Sequence, residues 1–110
     1  MELSKKLAPE WVKIEHAGEV LEFLCAPLTS RDLLNVYALA EDGRAGDAAW
    51  ESVMASVRDW RGFTRDGEPA RFSRGALEAA LGGADMAGVL GSLSAQVMAR
   101  SQLTETERKN

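Results

Sequence analysis

Apolar and polar residues alternate over two short stretches near the start of the chain, 11–15 and 19–25. In the first, Val12 and Ile14 share one face and Lys13 and Glu15 the other; in the second, Leu21, Phe23 and Cys25 oppose Val20, Glu22 and Leu24. A period of two in β-branched and aromatic residues, interrupted by His16-Ala17-Gly18, predicts a β-hairpin. A lone hairpin is marginal in water, so it must lie on helices or pair with another strand, and its edges are open to a partner strand. After Pro27 the period becomes helical. Thr29 with Asp32 has the form of a capping box with Asp in place of Glu. Leu33, Val36, Tyr37 and Ala40 then fall on one face, flanked by Leu34 and Leu39, as far as Asp42-Gly43. Asp47 follows as an N-cap or first-turn acid. Trp50, Val53, Met54, Val57 and Trp60 fill an arc of about 120° at helical spacing, which predicts a second amphipathic helix running to position 60. A stripe of this kind reads as core rather than as a cofactor box.

The stretch 60–73 is different in kind: it sets Trp60, Phe63 and Phe72 among turn residues. Gly62 is placed to end the helix before it, Asp66-Gly67 signals a tight turn, Pro69 forces an extended path and Ser73 is a good N-cap. The expectation is a specified, hairpin-like connector pinned to the core by its aromatics. A short helix over 74–81 follows, with Leu77, Ala80 and Leu81 inward and Gly82-Gly83 as its stop. Asp85 can cap a last helix running to about Ser101, with Met86, Val89, Leu90, Leu93 and Val97 facing the core. Its opposite face is small: Ala84, Gly88, Ser92, Ala95 and Ala99, with Gly91 alongside. Interior helical glycines cost roughly 1 kcal/mol each against alanine, so they invite a reason. Three remain open: a smooth face for a partner helix, a solvent face, or close packing within the domain.

The pattern Asp59-Trp60-Arg61-Gly62-Phe63, the turn Asp66-Gly67, then Pro69-Ala70-Arg71-Phe72-Ser73 and a Leu-rich helix to Leu81 resembles the tail assembly chaperones of long-tailed bacteriophages and prophages. The charged end Glu107-Arg108-Lys109-Asn110 is also similar. The N-terminal half matches only in layout, and Ala70-Arg71 stands where relatives often carry Pro-Pro or Val-Pro. The resemblance implies a protein needed to build a phage tail and absent from the finished virion. It implies binding to the tape measure protein, held soluble, and to the tail tube protein that polymerises around it. Some relatives are extended by a ribosomal frameshift.

Composition narrows the alternatives. A length of 110 residues with 45% hydrophobic and 27% charged residues suits one modest globular core. The expected organisation is a flexible segment over 1–10, a single compact α+β domain over 11–101 (the hairpin on about four short helices), and a flexible polar tail over 102–110. The formal net charge of −4 argues against nucleic acid as the main partner, although Arg58, Arg61, Arg65, Arg71 and Arg74 surround the central stretch. No apolar run approaches the ~20 residues that span a bilayer, and Met1 to Lys6 is not a secretory signal. One cysteine allows no internal disulfide. These features lead us to expect a cytoplasmic protein.

Catalytic chemistry is hard to assemble. His16 is the only histidine and falls in a turn, and Cys25 falls in an apolar strand. Neither a nucleophile–His–acid set nor a zinc site follows from them. Gly82-Gly83 lacks the Lys-Ser/Thr of a phosphate loop, and Asp66-Gly67-Glu68 is too short for an EF-hand loop. We expect a non-enzyme with no cofactor and no metal. The candidate protein-binding residues are Phe63 and Arg65 on the central excursion, Gly88, Ser92 and Ala95 on the last helix, and Leu103 at the start of the tail. The alternative class is a regulatory adaptor or antitoxin-like partner of one folded protein; homo-oligomers are compatible with either.

Overall fold

In a computed structural model describing residues 8–109, with side chains as far as Ser101, the alternating stretches form an antiparallel hairpin, β1 (Glu10–His16) and β2 (Glu19–Cys25). Their registry runs from Glu10 opposite Cys25 to His16 opposite Glu19. Ala17 and Gly18 both take positive φ, 51° and 79°, as a two-residue turn matched to the strand twist requires. Val12, Ile14, Leu21, Phe23 and Cys25 are all buried on one face, as the alternation predicts.

Helix α1 (Ser30–Glu41) begins at the predicted box: the Asp32 amide donates to Thr29 Oγ1 at 3.1 Å and the Thr29 amide to Asp32 Oδ2 at 3.3 Å. Its buried stripe is narrower than expected. Leu33 and Val36 are buried, but Tyr37 is 40% and Leu34 68% exposed, and Ala40 is exposed as well. The reason is that α1 packs chiefly on one neighbour, α2 (Ala45–Ser56), and a helix with a single neighbour buries a single narrow stripe.

The largest departure comes at the end of α2. The helix stops at Ser56, and Val57–Arg61 is strand β3, antiparallel to β2, giving the sheet order β1-β2-β3. Val57 and Trp60 are both buried, although residues three apart on a regular strand face opposite sides. A bulge resolves this. Cys25 pairs with Val57 and Leu24 with Asp59, leaving Arg58 as an extra residue that restores the phase. A strand with such a bulge imitates helical spacing. Ser56 fixes the switch point: its hydroxyl donates to the Ala26 carbonyl at 2.6 Å, and its carbonyl accepts from the Ala26 amide at 2.9 Å.

The central stretch forms a small hairpin, β4 (Thr64–Arg65) and β5 (Glu68–Pro69), around Asp66 and Gly67, both with positive φ. Helix α3 (Arg74–Leu81) starts at Ser73, whose hydroxyl accepts from the Ala76 amide at 3.0 Å. Asp85 does not cap the last helix directly; it lies in a 3-10 turn, Ala84–Met86, before α4 (Ala87–Lys109). The backbone of α4 remains helical past the stop expected near Ser101. The segment expected to be flexible over 1–10 falls mainly on 1–7, outside the described residues, and the side chains of 102–110 lie outside them too. The result is a single α+β domain, with the inner face of the sheet covered by helices around Phe23, Val53, Leu77, Leu93 and Val97.

Four buried serines cross-link this core. Ser52 Oγ on α2 and Ser94 Oγ on α4 are 2.7 Å apart. Because Ser52 donates its single proton to the Ala49 carbonyl at 2.7 Å, Ser94 is the donor to Ser52. Ser101 Oγ accepts from the Leu28 amide at 3.0 Å and so ties α4 to the connection between β2 and α1. Replacing Ser52 with Ala strands the Ser94 hydroxyl in the core and is expected to cost about 1–3 kcal/mol. The double variant S52A/S94A should lose less than the sum of the singles. Urea unfolding of the three variants tests this, and strictly additive losses would remove the coupling.

Candidate interaction surfaces

The excursion is built around Trp60. Phe63 stacks on its ring at a centroid distance of 4.2 Å, and Phe72 meets it edge-on at 5.5 Å. Phe63 also meets Phe23 in the core edge-on at 5.7 Å. Trp60 Nε1 donates to the Ala70 carbonyl at 2.8 Å, and the Ala70 amide donates to the Phe63 carbonyl at the same distance, closing the base of the loop. Phe63 is therefore mainly a half-buried anchor. Arg65, beside the turn at the tip, is exposed.

On α4, Gly88, Ser92 and Ala95 lie in one exposed row that Ala99 continues. A Cβ built on Gly88 or Gly91 would meet nothing within 4 Å. Close packing within the domain is therefore not what these glycines serve, which leaves a solvent face or a docking face. The helix packs chiefly on α2, β1, the 3-10 turn and α3. Neither strand of the excursion is among its main neighbours, so the candidates form two surfaces rather than one. Leu103 belongs to α4 by its backbone, and its side chain lies outside the described residues.

No family model, curated protein or solved structure matches this chain.

Three of the five arginines near the central stretch are engaged at separate places. Arg58 Nη1 donates to the Ala55 carbonyl at 2.7 Å and Arg74 Nη2 to the Met54 carbonyl at 2.9 Å. Both complement the carbonyl end of α2, which has no basic residue in its own last turn. Arg61 lies over the Trp11 ring, 3.7 Å from its centroid, on the outer face of the sheet. Sequence reasoning missed these roles, because each partner is remote or becomes available only where α2 ends.

Cys25 is buried, its thiol donating to the Phe23 carbonyl at 3.6 Å. Burial pushes its pKa up from 9.0 to about 11, with smaller opposing effects from Ser56, Arg100 and Arg58. The nucleophilic thiolate is therefore scarce near neutral pH. Among the described residues, no group of three or more His, Cys, Asp or Glu side chains is placed to hold a metal ion, and no helix is long and apolar enough to cross a membrane.

Proposed function

We propose that this chain is a tail assembly chaperone of a long-tailed phage or prophage: a non-catalytic protein of the bacterial cytoplasm that binds the tape measure protein, assists the tail tube protein and is left out of the virion. The observation that carries the reading is the exposed small-residue row Gly88-Ser92-Ala95-Ala99 on α4, together with the resemblance over 59–81. Helices approach closely where side chains are small, so such a row accepts an apolar stripe of a long helical client with little reorganisation. The surface is mixed rather than greasy, which suits release when the tail tube displaces the chaperone. The net charge of −4 favours a soluble loaded complex. The dispersed arginines favour a protein client over nucleic acid.

The test is capture of tape measure fragments from the same genome by the intact chain at two salt concentrations. Capture should tolerate salt and fall roughly tenfold, about 1.4 kcal/mol, when Gly88 and Ala95 both become Leu. Gly88 has open space beyond its Cα and Ala95 is exposed, so the variant should keep the wild-type circular dichroism spectrum. If the folded wild-type chain captures no fragment, the adaptor reading replaces this one. Capture indifferent to both substitutions would move the client surface away from α4.

A further inference from the structure

Among the described residues, the sheet order β1-β2-β3 leaves β1 with one strand neighbour and one open edge. The two-residue turn closes on His16 and Glu19, which are therefore a hydrogen-bonded pair. Alternation along the ladder then turns the amides and carbonyls of Trp11, Lys13 and Glu15 outward. Among the described residues, no backbone group outside the hairpin bonds to that edge. The side chains flanking it on the outer face, Lys13 and Glu15, are exposed and of opposite charge. Lys13 and Glu15 guard this edge against unselective pairing, while no proline or inward-pointing charge between Trp11 and Glu15 blocks the backbone, so a partner strand must be charge-matched.

We infer that this edge pairs antiparallel with the β1 edge of a second copy of the chain, joining two three-stranded sheets into one of six strands. The registry follows from which residues turn outward. An antiparallel pair must bring outward residues opposite one another, so only shifts by two residues are allowed. Registries centred on Lys13 or on Glu15 set like charge against like charge and are repulsive. Another sets Lys13 against Trp11, whose ring already carries Arg61. A further one sets Lys13 of each copy against Glu15 of the other, with Ile14 facing Ile14 on the two-fold axis and Val12 facing His16. This registry is the charge-complementary one, and symmetry forms its Lys–Glu pair twice. Within the chain Lys13 reaches Glu22 only at 4.0 Å, with its side chain 72% exposed, so it is available to the second copy.

Sedimentation of the full chain over a concentration series tests the inference, together with amide exchange at Lys13 and Glu15. A monomer–dimer equilibrium is expected, with exchange at those two amides slowing as concentration rises. Lys13→Glu or Glu15→Lys alone makes both cross-copy pairs repulsive and should weaken dimerisation roughly tenfold. The swap K13E/E15K should restore it to within about threefold of wild type. A chain monomeric throughout, a dimer insensitive to the single reversals, a swap that fails to rescue, or exchange independent of concentration would each overturn the proposal.

Discussion

Replacing Trp60 with alanine is expected to remove about 3–5 kcal/mol of stability, the range for truncating a large buried aromatic. A domain of this length is held by only about 5–15 kcal/mol, so the loss is a large share of the total. The size follows from what one side chain does. Its indole is 7% exposed, stacks on Phe63, meets Phe72 and closes the excursion through the Ala70 carbonyl. Its backbone pairs β3 with β2 opposite Phe23. Truncation empties the space between the sheet and the excursion and releases the contact that holds Phe63. Trp60→Phe separates packing from hydrogen bonding: it keeps a ring and strands the carbonyl, for an expected loss of about 1–3 kcal/mol. Guanidinium unfolding followed by far-UV circular dichroism measures both. An alanine variant within about 1 kcal/mol of wild type would show that the excursion is not anchored as described.

Gly62→Ala is expected to cost about 2–4 kcal/mol, far more than a glycine-to-alanine change on an ordinary strand. Two effects act together. Gly62 has φ +96°, which lies outside the left-handed region that alanine tolerates at modest cost. A Cβ there would also stand 2.7 Å from the Val20 carbonyl oxygen, and that oxygen is fixed in the hairpin. The backbone must shift where β3 leaves β2, loosening the pairing of Arg61 with Glu22. Gly67→Ala is the control: φ is +80° but no atom lies within 4 Å of the built Cβ, so only the conformational cost of about 1–2 kcal/mol applies. Equal losses in the two variants would show that the Val20 contact is not the cause.

The central segment does more than join elements. It enters at a glycine that only glycine satisfies, turns at Asp66-Gly67 and returns at Ala70 to close on Phe63. That construction sets Arg65 at an exposed tip while the aromatics stay inside. The tip and the small row of α4 are separate places, so substitutions at Arg65 and at Gly88 address different surfaces.

Local rules were enough for much of this protein. The hairpin, its inward face, the box at Thr29, the Asp66-Gly67 turn and the cap at Ser73 depend on neighbouring residues whose backbone and side-chain preferences act over a turn or two. The small row of α4 was legible as well, because helical spacing alone places Gly88, Ser92 and Ala95 together. The tertiary structure decided the rest. Val57 and Trp60 carry helical spacing, but the unpaired edge of β2 satisfies their backbone and a bulge at Arg58 brings both side chains inward, so strand wins over helix. Tyr37 looked like core and is exposed because α1 has one main neighbour. The buried serines were not legible as such: their partners, Ala26, Leu28 and one another, are distant in sequence and meet through packing. Arg58, Arg61 and Arg74 lie near one another in the chain, interleaved with acids, and make three separate contacts in space. Short-range preferences are written residue by residue. Long-range partners exist only once the chain has closed on itself.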